Sequence, residues 1–247
     1  MTLHQLPIAN KERVIIIGAG IGGLAASLRL SHMGYNVKVF ETAETAGGKL
    51  RTITGQTGEI DIGPTVLTLL PVFQNLFRSV GEDIFDHIEL VRQKIIARHW
   101  WPDGETLDLH DDFESSRDAI LNFSGPESAK EFEKYFYDTR DLFSCFDIPV
   151  MQNPNPSMLD MNRAVLNNPK ILFKMHPLRT LSGLLNYKFR DKRLQQLFGR
   201  YATYVGGSPL ESPALLSLIW QAEARGVWSV KGGMKKLARV LEKLAAD

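Results

Sequence analysis

Three glycines spaced Gly18-x-Gly20-x-x-Gly23 can hold a pyrophosphate against bare backbone. The first allows a tight turn, the second lets the main chain approach the phosphates, and the third lets a helix pack closely on a strand. The phosphates of such a ligand rest at the positive end of that helix. Glu41 stands 18 residues past Gly23, where a carboxylate accepts hydrogen bonds from ribose hydroxyls and repels a 2′-phosphate, which argues against NADP. Gly47-Gly48-Lys49 and then Arg51 follow, offering backbone room beside two cations. A stiff turn, Gly63-Pro64-Thr65, comes shortly after Asp61. Gly18, Gly20, Gly23, Glu41, Gly48, Lys49, Arg51, Gly63, Pro64 and Thr65 are therefore the candidate cofactor-binding residues. The competing reading is glycines used only for packing and two solvated cations. The residues alone leave the choice between NAD and FAD open.

Other chemistries find little support. The histidines (His4, His32, His87, His99, His110, His176) show no metal-ligand spacing, so no metal site is expected. Cys145 is the single cysteine, which excludes an intrachain disulfide; among Leu142, Phe143 and Phe146 it reads as a small buried apolar residue. No nucleophile elbow is present. No catalytic residue can be named, and Asp61 reads as a turn-capping aspartate.

The glycines need a strand before them and a helix after them. Arg13–Ile17 is a short β-branched run that reads as a buried parallel strand. Leu24, Leu28 and Met33 then recur on one side of a helix, with Gly34 as its left-handed cap. Asn36–Glu41 reads as a second strand, which completes a βαβ unit. Thr52–Pro64 reads as short strands with glycine turns. Pro71 opens a helix with Val72, Phe73, Leu76, Phe77 and Val80 on one face. Pro102-Asp103-Gly104 reads as a hairpin turn within His99–Leu109. Glu127–Phe146 has a helical period, a loop follows at Gln152–Ser157, and residues from about 160 to 225 read as mostly helical. The best-marked helix there is Ala214–Ala224, with Ser212 as N-cap and Pro213 at the first position. Gly232-Gly233 opens a last helix carrying Leu237, Val240, Leu241 and Leu244. The expected fold class is α/β: a Rossmann-like dinucleotide-binding domain with an inserted, mostly helical domain. The expected division is 1–115, 116–225 and 226–247, with too few strands for a complete open sheet, so the chain reads as the front part of a longer protein.

At 44% hydrophobic and 23% charged residues, the 247-residue chain is an ordinary globular one. A net charge of +1 gives no reason to expect nucleic acid. The apolar run Val14–Leu28 is too short and too glycine-rich to span a bilayer, and it continues into structure rather than a cleavage site. Charge is uneven: residues 103–147 hold 13 acids and 4 cations, residues 163–200 hold 9 cations and 1 acid. The basic stretch is interleaved with apolar residues. It reads either as solvated helix faces or as a surface that rests on anionic lipid.

Taken together, the glycine loop, the strand-end Glu41, Gly47-Gly48-Lys49 and Asp61-Ile62-Gly63-Pro64-Thr65 resemble the FAD-binding front of the amine oxidase and carotenoid desaturase superfamily. Asp61–Thr68 resembles the phytoene desaturase branch. The blocks Leu197–Pro209 and Gly226–Met234 resemble the 1-hydroxycarotenoid 3,4-desaturases. The resemblance implies FAD as cofactor, a flavin-dependent removal of two hydrogens across a C–C bond of an acyclic carotenoid, and a bacterial cytoplasmic location with peripheral membrane contact. It also implies a protein about twice this length, closed by a second FAD-contacting segment, so a C-terminal half is expected to be missing. A phytoene desaturase, another flavin amine oxidase or saturase, and a truncated chain inactive alone are the alternatives. Phe132, Phe136, Phe143, Phe146, Tyr201 and Tyr204 could line a substrate tunnel, although helical spacing points first to plain core.

Overall fold

A computed structural model describes residues 12–56 and 58–246; His4 lies outside these. The chain forms two compact units, one running up to Gln93 and resuming at Val227, the other Lys94–Gly226.

The first unit begins with β1 (Arg13–Ile17), α1 (Ile21–His32) and β2 (Asn36–Phe40). The two strands pair in parallel, from Arg13 opposite Asn36 to Ile17 opposite Phe40. Gly34 has φ +89° and closes α1, with its N–H on the Ser31 carbonyl and that of Tyr35 on Leu30. Leu24 and Leu28 are buried as expected, but Met33 is exposed because it falls in the cap, where the helical period has ended. A hairpin follows, β3 (Thr52–Gly55) and β4 (Gly58–Asp61). Then come α2 (Leu70–Arg78), α3 (Ile84–His87) and β5 (Leu90–Arg92). Leu76, Phe77 and Val80 are buried, Phe73 packs against them, and Val72 faces solvent instead of joining the stripe.

The second unit opens with β6 (Ile95–Trp100) and β7 (Thr106–His110), an antiparallel pair around the expected turn, where Gly104 N–H donates to the Trp101 carbonyl. α4 (Phe113–Phe146) breaks at Gly125, whose φ and ψ are 84° and 176°. Pro126 explains the break: it removes an N–H and disfavours the helical conformation of the residue before it. A wide helical turn at Asp147–Met151 leads to α5 (Met158–Asn167), α6 (Lys170–Met175), α7 (Leu181–Lys188) and α8 (Lys192–Gly199). Ser157 and Asp160 form a capping box at the start of α5. Residues 200–205 and 214–220 are 3₁₀ turns, and the second runs into α9 (Gln221–Ala224). The expected α-helix at Ala214–Ala224 is thus mostly 3₁₀, and Ser212 does not cap it. The Ser212 carbonyl instead accepts from Leu181 N–H, and Ala214 N–H donates to Arg179, which holds this stretch extended against the start of α7.

Phe132, Tyr135, Phe189, Phe198 and Trp220 form the core of this unit, with Phe189 and Phe198 stacked at 5.1 Å. Trp220 Nε1 donates to Thr139 Oγ1 at 2.7 Å and Gln221 Nε2 to the same oxygen at 2.9 Å, so these two donors are partnered inside the core. Of the aromatics that could line a tunnel, Phe132, Phe143, Phe146 and Tyr201 are close-packed core, Phe136 packs against it, and Tyr204 is exposed. Cys145 is half-buried rather than enclosed, and burial pushes its thiol pKa up.

The chain then returns to the first unit. β8 (Trp228–Val230) pairs antiparallel with β5, and α10 (Lys235–Ala246) packs Leu237, Ala238 and Leu241 into one core with Leu24 and Leu28. The first boundary thus falls at residue 93 rather than 115, because Leu107 and Leu109 of the hairpin belong to the aromatic core built on α4. The return comes at Val227, one residue from the expected 226.

Candidate dinucleotide site

The candidate site lies in the first unit, where β1 runs into α1. Gly18 has φ +97° and its N–H donates to the Phe40 carbonyl at 2.7 Å, which ties the turn to the end of β2. A methyl on Gly23 would overlap the Gly18 carbonyl oxygen, so only glycine lets α1 sit this close to β1. Gly20 is the N-cap of α1. It has no side-chain cap, and the first turn holds no acid, so the N–H groups and the positive end of the helix are left to an anion.

The second glycine pair packs against the first. Gly47 N–H donates to the Ala19 carbonyl at 2.8 Å, and Gly20 and Gly47 form a parallel bridge. Gly48 has φ +60°, and a methyl there would sit 2.9 Å from the Gly20 Cα. Its glycine is thus needed by the neighbouring turn as much as by any ligand. Gly63 repeats the device: a methyl on it would overlap the Lys49 carbonyl oxygen. The β3–β4 hairpin makes this approach possible, returning the chain so that Ile62 N–H donates to the Arg51 carbonyl at 2.9 Å. The structure therefore brings Gly18, Gly20, Gly23, Gly48, Lys49, Arg51 and Gly63 into one backbone assembly. Pro64 and Thr65 continue as exposed chain with no hydrogen bond to the glycine turn.

Glu41 lies one residue beyond β2. Its Oε2 accepts from Ala19 N–H at 2.7 Å; its Oε1 accepts from Thr42 N–H at 2.8 Å and Ala43 N–H at 2.9 Å. The Ala43 N–H, then the Ala19 N–H, holds the carboxyl below the usual glutamate range. The carboxylate is thus ionised and fixed beside the glycine turn, with lone pairs left for hydroxyl donors. A cavity of about 320 Å³ opens beside it, bounded by Ala19, Val39, Ala43, Ala46 and the end of α10. Lys49 and Arg51 are exposed and make no ion pair among the described residues. Bare amides at a helix start, two available cations and a fixed carboxylate are a donor set that fits a dinucleotide's pyrophosphate and ribose.

Asp61 is the residue whose role the local sequence did not reveal. Its Oδ2 accepts from Met234 N–H at 2.9 Å, at the entry to α10, while Oδ1 is buried without a partner. It caps an element 173 residues away, not its own turn. Gly233 makes room for it, since a methyl there would lie 3.2 Å from Oδ2. The only signal was the Gly232-Gly233 pair, which does not say what approaches it.

A strand, a glycine turn, a helix and a second parallel strand with an acid at its end define a Rossmann-like dinucleotide-binding unit. The family model for the NAD(P)-binding Rossmann-like domain matches residues 16–82. Solved structures share the fold. Wild-type putrescine oxidase bound to putrescine is similar at TM-score 0.59 and 16% identity, over 96% of this chain and 49% of that one. Cyclohexylamine oxidase from Brevibacterium oxydans is similar at 0.54 and 21%, over 96% and 49%. Among curated relatives, the hydroxyneurosporene desaturase of Cereibacter sphaeroides is 44% identical over 95% of this chain and 48% of its own length. That of Rubrivivax gelatinosus is 38% identical over 95% and 45%. The 4,4'-diapolycopene oxygenase of a Methylomonas species is 29% identical over 96% and 48%. The chain is homologous over nearly its whole length to hydroxyneurosporene desaturases, and it spans about half the length of the curated relatives it matches.

Proposed function

We propose that the chain is part of an FAD-dependent oxidoreductase that desaturates a C–C bond of an acyclic carotenoid, with 3,4-desaturation of a 1-hydroxycarotenoid as the favoured reaction. The observation that carries this reading is the 38–44% identity, over nearly the whole chain, to three hydroxyneurosporene desaturases. Bound FAD would supply the acceptor for the two electrons that leave with the hydrogens. The glycine turn and the α1 amides would hold its pyrophosphate, with Lys49 and Arg51 adding positive charge. Glu41 would hold the ribose hydroxyls of its adenosine half. Gly63, Pro64 and Thr65 would present a rigid edge to the same ligand. The substrate is insoluble in water, so the reading also includes a bacterial location beside a membrane.

Two measurements test it. Titration of the purified chain with FAD should show saturable binding that Glu41→Gln and the double variant Lys49→Gln, Arg51→Gln weaken at least tenfold. Expression in cells that accumulate 1-hydroxyneurosporene, together with any downstream reading frame, should extend the conjugation and shift the pigment to longer wavelength. An unchanged pigment with FAD bound would count against the substrate, and no FAD binding would count against the cofactor.

A further inference from the structure

The segment that returns to the first unit at Val227 closes on the glycine turn from behind. Leu50 lies between Lys49 and Arg51 and shares a core with Leu237, Ala238 and Leu241 of α10. A methyl on Gly47, at the start of the same loop, would lie 3.4 Å from the Ala238 Cβ. α10 is therefore the back wall of the loop 47–51. Where α10 sits decides where Lys49 and Arg51 stand relative to the glycine turn.

Polar contacts join the start of α10 to the β3–β4 hairpin, which runs on directly from that loop. Lys235 Nζ donates to Thr52 Oγ1 at 3.4 Å, which is long for a hydrogen bond. Arg239 Nη2 donates to Glu59 Oε1 at 3.2 Å, but both side chains are half exposed, and a solvated ion pair fixes little. The strong link is the bond at 2.9 Å from Met234 N–H to Asp61 Oδ2. Asp61 pairs with Thr52 across the hairpin and stands two residues before Gly63, which packs on the Lys49 carbonyl. One carboxylate thus ties the entry of α10 to both ends of the cation loop's support. Oδ1 of the same carboxylate is buried without a partner. A buried acceptor with no donor costs stability, so packing alone is a poor account of an aspartate here. What the carboxylate supplies is direction: one N–H of α10 held at one position of the hairpin.

We propose that Asp61 is a positioning residue for the cofactor site. By accepting from Met234 N–H it fixes α10 behind the loop 47–51, and so holds Lys49 and Arg51 beside the glycine turn. It acts through the loop rather than on the ligand. The placement of the loop stands on the contacts above, and only the step from the loop to FAD rests on the function proposed in the preceding subsection.

Amide exchange on the full chain without FAD tests the placement. Gly47 N–H bonds the Ala19 carbonyl and Leu50 N–H the Gly47 carbonyl. Asp61→Ala should speed exchange at these two amides about tenfold or more and leave the β1–β2 ladder unchanged. Asp61→Asn keeps an acceptor for Met234 N–H and should restore the parent rates. Asp61→Leu keeps the volume without the acceptor; it should behave as the alanine variant and replaces it if that chain does not fold. Titration with FAD tests the consequence. Asp61→Ala should raise Kd about tenfold or more, and Asp61→Asn less than about threefold. Ile84→Ala, on α3 of the same unit, is the control: it should lower the melting temperature and leave the FAD Kd unchanged. Parent-like exchange in the alanine and leucine variants would overturn the proposal. Equal weakening of FAD by Ile84→Ala would overturn it as well, because general destabilisation would then account for the loss. A parent chain that binds no FAD would overturn the cofactor reading instead, and the exchange rates would still judge the clamp.

Discussion

In the helical unit, Phe132, Phe198 and Trp220 are at most 2% exposed, whereas Ile15 and Ile17 on β1 of the glycine-turn unit are 59% and 89% exposed. The first set closes a core from all sides. The second belongs to a parallel pair of strands, a type of sheet that normally has both faces covered. The two units also achieve close contact by opposite means. Rings meet at 4.7 to 6.0 Å around Phe198, and removing atoms there opens a cavity. Around the glycine turn, backbone meets backbone at Gly18 and Gly23, at Gly20 and Gly48, and at Gly63 and Lys49, and adding atoms there forces the chains apart. The helical unit should therefore be sensitive to loss of volume and the glycine unit to its gain.

The largest effect expected is from Phe198→Ala, which should cost about 3–5 kcal/mol in urea unfolding of the helical unit. A cost below that of any glycine substitution would break the contrast. Gly48→Ala comes next: a methyl at φ +60° and 2.9 Å from Gly20 should destabilise the glycine unit by about 1–3 kcal/mol and speed amide exchange in β1 and β2. Gly22→Ala is its control, since nothing lies within 4 Å of the added methyl; it should change stability by less than about 1 kcal/mol.

Two smaller effects depend on pH. Glu41 has a folded pKa below its unfolded one, so it stabilises the glycine unit above the unfolded value of about 4.3, and the contribution is lost as pH falls through the lower folded value. Glu41→Gln should flatten the melting temperature against pH in that acid range. The smallest effect should come from His99 in the helical unit. Burial, then the nearby Arg200 charge, pushes its pKa below 6.5. Its neutral form is the folded one, so stability is present above pH 6.5 and falls as pH drops below it. Calorimetry of His99→Gln should show a shallower loss of stability below pH 6.5 than the parent.

Much of the site could be read along the chain, because its pieces are local. The strand, the turn with Gly18 and Gly23, and α1 lie within twenty residues, and each glycine answers a backbone demand set by its near neighbours. The hairpin at Pro102–Gly104 and the cap at Gly34 are legible for the same reason. Met33 and Val72 were misplaced at helix ends, where the period no longer decides which way a side chain faces. Ser212 has the residue type of a cap, but its backbone is taken by Leu181 from another helix. The boundary at residue 93 depends on which core takes Leu107 and Leu109, and alternating strands bury a side chain without naming its partner.

The sequence by itself determined the βαβ glycine turn and its resemblance to the desaturases, since both are written in residue types and spacings along the chain. Only the tertiary structure decided that Gly48 serves Gly20, that Asp61 serves Met234, and that Lys174 and Lys188 are neutralised on Asp138 and Asp141 of α4. Each of these depends on how distant segments meet in space, which no spacing along the chain encodes.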